Sequence, residues 1–188
     1  MSLLESYILE IINLRETQKV FSIDRILEMI DRLEEISKEE GEVINILYSL
    51  KGEYGRLEYS VIGDKVSGAI DFEREIRGRE LGDFFIFETF PITKGYGPLL
   101  YEILVEKASE VGVCLMSDPE SYGVSDDARS VWDKYLKRAD DVIDIEYKQV
   151  VGREDSGSLS KCYRKVGPLV VLERLRGSEY INFVEEYE

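Results

Sequence analysis

Gly95-Tyr96-Gly97-Pro98-Leu99-Leu100-Tyr101 lies between a strand-like apolar run and a strongly helical one. Pro98 suits the first turn of a helix, where its missing N–H group costs no hydrogen bond. The two glycines let the backbone approach a ligand closely. Free N–H groups at a helix N-terminus bind anions, and phosphate above all. The stretch therefore predicts a strand, a phosphate-binding loop and a helix. The alternative is a turn that needs glycine for its geometry alone.

The segments that follow continue this alternation. Val113 to Met116 is a short apolar run typical of a buried strand, and Ser117 to Glu120 ends it. A second helix is predicted from Ser125 to Leu136, with Ser125 as its N-cap and two acidic residues in its first turn. The order is therefore strand, glycine loop, helix, strand, helix.

This order and its motifs resemble the core of the GNAT acetyltransferases. Their pyrophosphate motif, R/Q-x-x-G-x-G/A, falls on residues 92–97, with Ile92 in place of Arg or Gln. The second helix resembles the signature N-x-x-A-x-x-L-Y-E-K, with Trp132 in place of its tyrosine. The likeness is closer to GNAT-like proteins of phage genomes, which carry G-x-G-P-L-L-Y-D/E, L-M-x-D and S-x-x-A-x-x-V-W-x-Y-Y-L. These blocks cover Asp83 to Asp141, about a third of the chain.

The resemblance implies an α/β fold with a GNAT-like mixed, mostly antiparallel sheet flanked by helices, and an N-terminal helical extension. We assign residues 1–50 to a helical segment packed on the core and residues 51–188 to an acyltransferase domain of the same globular unit. Apolar residues spaced by three and four predict helices over Leu3 to Leu14 and Ile23 to Ile36. Such amphipathic helices also suit a dimer interface. Val43 to Leu50 suits a third helix or a first strand.

Strand patterns follow this helical segment. Leu57 to Ile62 and Lys65 to Phe72 flank Gly63-Asp64 and predict a hairpin. The charged stretch Arg74 to Glu80 predicts a loop, and Asp83 to Glu88 predicts the next strand.

The C-terminal part is predicted to add two strands. They are expected within Val142 to Val151 and at Leu169 to Leu172, with a polar loop over Gly152 to Ser160 between them. The tail Ser178 to Glu188 is acidic with interspersed aromatic residues, which indicates a surface segment or a docking strand.

Composition limits the partners and the chemistry. The net charge of −15 repels nucleic acid and anionic membranes, so neither is an expected partner. No segment is long and apolar enough to span a membrane, and no signal sequence is evident, so we expect a cytoplasmic protein, or a virion protein if the chain is phage-encoded. Cys114 and Cys162 are far apart, which predicts reduced thiols and no metal site. Histidine is absent, which excludes an imidazole base.

Acetyl-CoA is the cosubstrate that the resemblance implies. Its pyrophosphate would lie on the amides of the glycine loop, where Lys94 would add a positive charge, and Ser125 would contact its pantetheine arm. Backbone N–H groups near the end of the fourth strand would polarise the acyl carbonyl. The implied cofactor-binding residues are Phe87, Thr89, Ile92, Thr93, Lys94, Gly95, Tyr96, Gly97, Pro98, Leu99 and Ser125.

Proton transfer needs a base and a donor. Asp83 lies where histone-type GNATs place their base, and Glu88 is the second candidate; in a regular strand their side chains face opposite sides. Solvated carboxylates at the strand ends are the alternative. The tyrosine that protonates the thiolate in the family is replaced by Trp132, which lacks a suitably acidic proton and is expected in the core. Tyr135 or Tyr122 is then the candidate donor.

The function expected from the resemblance is acyl-CoA-dependent N-acetylation of an amine. The acidic charge favours a cationic acceptor, such as a protein lysine, an N-terminus or a polyamine-like molecule. The alternative is a catalytically inactive GNAT-fold phage protein, a virion component or an acidic inhibitor of a host factor, with a homodimer or a phage or host protein as partner. Ile92 and Trp132 favour this alternative, and the intact glycine loop argues against it.

Overall fold

The computed structural model describes residues 22–60, 67–77, 80–90, 92–93, 95–117, 125–137, 143–147, 159 and 161–188. These residues form four helices and eight strands. In chain order they are α1 (Ile23–Glu40), β1 (Ile44–Lys51), β2 (Tyr54–Ser60), β3 (Ser67–Arg77), β4 (Glu80–Thr89), α2 (Gly97–Glu110), β5 (Leu115–Ser117), α3 (Asp126–Lys137), β6 (Ile143–Tyr147), β7 (Lys161–Lys165), α4 (Val170–Arg176) and β8 (Ile181–Tyr187).

All eight strands belong to one sheet in the order β6-β7-β5-β4-β3-β2-β1-β8. The pairs β1/β8 and β4/β5 are parallel, and the other neighbours are antiparallel. The predicted fold class is confirmed: this is an α/β fold with a mixed, mostly antiparallel sheet of GNAT-like type, flanked by helices and preceded by an N-terminal helix.

Helix α1 begins and ends where local signals predict. The side chain of Ser22 accepts a hydrogen bond from the N–H of Arg25, and Gly41 ends the helix at φ 70°. Ile44–Lys51 is a strand, which settles the ambiguous stretch, and the boundary placed after residue 50 falls inside it. The predicted helix Leu3 to Leu14 lies outside the described residues.

The main hydrophobic core lies on one face of the sheet, which we call the helical face. Side chains from all four helices meet there, and α2 is buried from Leu99 to Ala108. Phe84 and Ile86 of β4 point into this core. Phe85, between them, points to the opposite side, which we call the second face. There it packs against the cluster formed by Cys114, Met116 and Cys162.

Two strands extend into the stretch that was predicted as a loop. β3 continues to Arg77 and β4 begins at Glu80, so the prediction for Arg74 to Glu80 is wrong. The N–H of Arg74 donates to Glu53 O and its guanidinium to Gly52 O. The cation thus lies within a strand beside the β1–β2 turn, and its charge does not indicate a loop.

The last predicted strand is also wrong, because residues 170–176 form helix α4 and the strand before it is β7. Four consecutive apolar residues suit a buried strand or a buried helix equally well. The carboxylate of Glu106 decides between them, since it accepts hydrogen bonds from the N–H groups of Val171 and Leu172 at the start of α4.

The acidic tail forms the docking strand β8, which pairs in parallel with β1. Lys107 of α2 holds it, donating to Glu185 Oε1 at 2.7 Å and to Tyr187 Oη at 2.6 Å. Its ammonium group also lies 4.8 Å from the ring centroid of Tyr48. Among the described residues, none of the helices is long and apolar enough to cross a membrane.

Candidate functional site

The candidate site lies at the carboxyl ends of the parallel strands β4 and β5. Each is followed along the chain by a helix, α2 after β4 and α3 after β5. Ligands of open α/β sheets bind outside the carboxyl ends of parallel strands, where helix N-termini meet. The topology thus places the predicted glycine loop at an edge that commonly binds ligands.

A β-bulge at Phe87 interrupts the regular pairing of β4 near its carboxyl end. β4 pairs with β3 through Ile86↔Phe72 and then Glu88↔Asp71, which leaves Phe87 without an opposite residue. On its other side, β4 pairs with β5 only as far as Ile86↔Ser117, whereas β4 itself continues to Thr89. Among the described residues, the backbone from Phe87 to Thr89 therefore extends beyond its β5 neighbour.

The loop after β4 is tied to the start of β3. Thr93 N donates to Ser67 O at 2.8 Å, and Ser67 N donates to Thr93 Oγ1 at 2.9 Å. Ile92 packs against the main core, where the family motif has a long polar residue. Lys94 lies outside the described residues.

The two glycines of the loop have different roles. Gly95 has φ 97°, a conformation that favours glycine, so turn geometry accounts for it. Gly97 has no positive φ, and a Cβ built on it would meet nothing within 4 Å. Neither backbone conformation nor packing requires glycine at position 97, and the space that a side chain would enter there is open.

Few backbone donors of this loop are used internally. Tyr96 N donates to Thr93 O, Leu99 N donates to Tyr96 O, and Pro98 has no N–H group. In the described part of the loop, this leaves the N–H groups of Gly95 and Gly97 for a ligand. The amide donors expected from the glycine loop are therefore narrowed to these two.

The helices α2 and α3 begin differently. At α3 the hydroxyl of Ser125 accepts a hydrogen bond from Ala128 N at 3.2 Å, and Asp126 and Asp127 complement the helix dipole. At α2 the N-cap Tyr96 makes no side-chain capping bond, and the first turn has no acidic residue. In the described residues, α2 thus begins with no side-chain cap and no acidic residue in its first turn, whereas α3 has both.

The bulge also changes which side the candidate bases face. Asp83 lies beside Cys114 on the second face. Glu88 pairs with Asp71, the partner of Arg56 on that same face. Asp83 and Glu88 stand at odd and even positions and would face opposite sides of a regular strand. Because of the bulge between them, both lie on the second face. Asp83 is buried, with 5% of its surface exposed, whereas Glu88 is exposed.

Trp132 and Tyr135 are core residues. Trp132 is stacked on Tyr163 with the ring centroids 5.3 Å apart and meets Tyr101 edge-on. Burial raises the pKa of Tyr101 to about 12, and burial also raises the pKa of Tyr163. Tyr135 is fully buried and its hydroxyl donates to Glu102 Oε2 at 3.0 Å. Tyr122 lies outside the described residues.

Cys114 and Cys162 are joined by a disulfide, so the prediction of reduced thiols is wrong. They are 48 positions apart in the sequence, yet their Cα atoms are 5.5 Å apart. Strand β7 lies next to β5 because it inserts between β5 and β6. Sequence spacing alone cannot show that insertion.

The sequence analysis also missed a buried charge network beside the aromatic residues. Lys165 donates to Glu102 Oε1 at 3.1 Å and to Glu106 Oε1. Burial raises the pKa of Glu106, although Lys165 and the α4 N–H groups oppose this. A signal was present: Glu102 and Glu106 are one helical turn apart and lie among the apolar residues of α2, which predicts buried and paired carboxylates.

Comparison with known proteins adds no assignment. No family model, no curated protein and no solved structure matches this chain.

Proposed function

We propose that the chain is an acyl-CoA-dependent N-acetyltransferase that acts on an amine. The observation that carries the proposal is Gly97, a glycine that neither backbone conformation nor packing requires, at an uncapped helix N-terminus. A bulky anion that must approach the backbone accounts for a glycine at this position. The pyrophosphate of acetyl-CoA is such an anion.

The pyrophosphate would accept hydrogen bonds from the N–H groups of Gly95 and Gly97. The positive end of α2 favours the anion, and no carboxylate of its first turn opposes it. The acyl arm would then run toward the carboxyl end of β4, where the backbone from Phe87 to Thr89 extends past β5. Donors there would stabilise the oxyanion that forms when the amine attacks.

Glu88 is the better placed of the two candidate bases. A general base must reach the amine proton directly or through one water. Glu88 is exposed, while Asp83 lies among buried side chains beside Cys114. We therefore assign proton acceptance to Glu88 and keep Asp83 as the candidate for water-mediated transfer.

A second candidate function is a GNAT-fold protein without catalysis, a phage virion component or an acidic inhibitor of a host factor. The burial of Trp132 and Tyr135 favours it, because neither side chain can reach a leaving thiolate from the core. Binding of acetyl-CoA without turnover would support a related, ligand-binding role.

Calorimetric titration with acetyl-CoA tests the proposal. Wild-type protein is expected to bind one equivalent, and Gly97→Val to lose binding, because its side chain would occupy the place of the phosphate. Ser130→Val adds the same side chain at an exposed position of α3 and should bind as the wild type does. Unchanged affinity in Gly97→Val, with its melting temperature preserved, would remove the pyrophosphate assignment. Release of free CoA with a polyamine present then separates the enzyme from the inactive alternative.

A further inference from the structure

Asp83, Cys114 and Cys162 lie side by side on the second face of the sheet. They come from β4, β5 and β7, and their sulfur atoms and a carboxylate oxygen all lie within 4.8 Å of one another. All three are buried, with exposed fractions of 5%, 1% and 0%. Three metal-ligating side chains from three separate strands thus meet in one place.

Strand pairing, besides the disulfide, holds these residues near one another. β4 and β5 are paired through Phe84↔Leu115, next to Asp83 and Cys114, and Phe84 N donates to Cys114 O at 2.9 Å. β5 and β7 are paired through Leu115↔Tyr163, next to Cys162. The ligand set is therefore built on sheet elements, which position ligands more accurately than loops do.

The contact between Asp83 and Cys114 identifies the ligand chemistry. Asp83 Oδ1 lies 3.2 Å from Cys114 Sγ. A disulfide sulfur carries no proton, so this contact is no hydrogen bond while the disulfide is intact. After reduction, two thiols and a carboxylate lie together in a buried site, and each thiol can bind a metal once it loses its proton. A divalent cation that binds all three groups offsets the repulsion between their negative charges, which is strong in a buried site.

We propose that reduction of the disulfide converts this cluster into a binding site for one Zn²⁺ ion. Thiolate sulfur binds Zn²⁺ in preference to Mg²⁺ and Ca²⁺, because those two ions prefer oxygen ligands. Two cysteines and one carboxylate supply three ligands of a tetrahedral site, and water supplies the fourth. Disulfide and metal exclude each other because both use the same two sulfur atoms.

The conversion balances with a dithiol reductant. The reductant is oxidised to its own disulfide, and the bond between Cys114 and Cys162 accepts two electrons and two protons to give two thiols. Zn²⁺ then displaces both thiol protons to solvent, and Asp83 binds as the carboxylate. The site uses neither Glu88 nor the glycine loop, but it shares Asp83 with the second base candidate. Its test measures metal binding and not turnover, so its failure is distinguishable from failure of the proposed acetyl transfer.

Cobalt, which gives a visible signature in zinc sites, provides the test. The full chain is reduced with a phosphine under argon, desalted, and titrated with Co²⁺ and then with Zn²⁺. We expect one equivalent of Co²⁺ to bind, with thiolate-to-cobalt charge-transfer absorption that Zn²⁺ abolishes. The oxidised protein should take up no metal. Asp83→Asn should weaken binding by roughly tenfold or more, whereas Asp71→Asn, a carboxylate outside the cluster on the same face, should have no effect.

Serine variants of the cysteines can fail to fold, so the decisive comparison is between oxidised and reduced wild-type protein. Circular dichroism before and after reduction shows whether the fold survives. The proposal is overturned if the folded, reduced chain gives no charge-transfer absorption, or if Asp83→Asn binds cobalt as tightly as the wild type. Loss of the fold on reduction that Zn²⁺ does not reverse would also overturn it.

Discussion

The carboxylate of Glu106 and the ammonium group of Lys165 form an ion pair inside the core, between α2 and β7. Both side chains are almost fully buried. The same carboxylate accepts the N–H groups of Val171 and Leu172 and so caps α4. One charged group thus connects a helix, a strand and a second helix through bonds that are mostly shielded from water.

Removing the Glu106 carboxylate is expected to destabilise the protein strongly. Glu106→Ala leaves Lys165 with Glu102 as its remaining carboxylate and frees two N–H groups at the start of α4. We expect a loss of about 3–5 kcal/mol in the free energy of unfolding, measured by urea denaturation. The exposed pair of Arg56 and Glu58 is the control, and Glu58→Ala should cost no more than about 1 kcal/mol. Similar losses in both variants would contradict a special role for the buried pair.

Acid should destabilise the protein in part through Glu185. Burial raises the pKa of this carboxyl, but hydrogen bonds and charges from Arg176 and Lys107 outweigh that effect and lower it to about 2. Because the folded pKa lies below the unfolded value, the group contributes stability at neutral pH that is lost as pH falls from about 5 to about 2. Urea denaturation across this range should show a shallower decline in Glu185→Gln. Glu39→Gln, at an exposed position of α1, removes one carboxyl as a control and should leave the decline as in the wild type.

Elements with local signals could be predicted from the sequence. The N-cap Ser22 and the C-cap Gly41 bound α1, and the pairing of β2 with β3 follows from two apolar patterns around a turn. The register of the β2–β3 pair explains Gly55 as well, because Phe72 lies directly opposite it. Such features depend on neighbours in sequence or on one short turn.

Features that depend on distant residues could not be predicted. The four apolar residues at 169–172 became the start of a helix because Glu106, more than sixty positions earlier, caps it. The disulfide required the insertion of β7 beside β5. At the candidate site, the glycine loop was found from local pattern, whereas the bulge at Phe87 depends on register with β3.

Two glycines should respond oppositely to alanine. A Cβ at Gly55 would lie 2.2 Å from the ring of Phe72, which is itself stacked between Tyr48 and Phe84 and cannot move aside. Gly55→Ala should therefore cost about 1–3 kcal/mol. Gly97→Ala meets no atom within 4 Å and should leave stability unchanged or raise it by up to about 1 kcal/mol. Thermal unfolding measures both, and a destabilised Gly97→Ala would show that packing, not a ligand, selects this glycine.

The base assignment predicts a difference between two near-isosteric variants. Glu88→Gln should lower kcat by roughly a hundredfold or more with little change in acetyl-CoA affinity, because it removes only the proton acceptor. Asp83→Asn should have a smaller effect if that carboxylate does not contact the amine. Steady-state rates with a polyamine acceptor, together with calorimetric affinities, distinguish them. The reverse result would assign the base to Asp83 and place the acceptor near the buried start of β4 instead of its carboxyl end.

The acidic start of α3 should steer a cationic acceptor. Asp126 and Asp127 are exposed in the first turn of α3, the helix that follows β5 along the chain, while Asp118 and Glu120 lie outside the described residues. Negative potential at a cleft attracts cations, and salt screens it, so kcat/KM for a polyamine should fall as ionic strength rises. The double variant Asp118→Asn, Glu120→Gln should lower kcat/KM roughly two- to tenfold at low salt and flatten the salt dependence. Glu35→Gln, Glu39→Gln removes two exposed charges from α1 and should change neither. A flat salt response, or a neutral amine as the better acceptor, would contradict steering. Asp126 and Asp127 would then only stabilise α3 through its helix dipole.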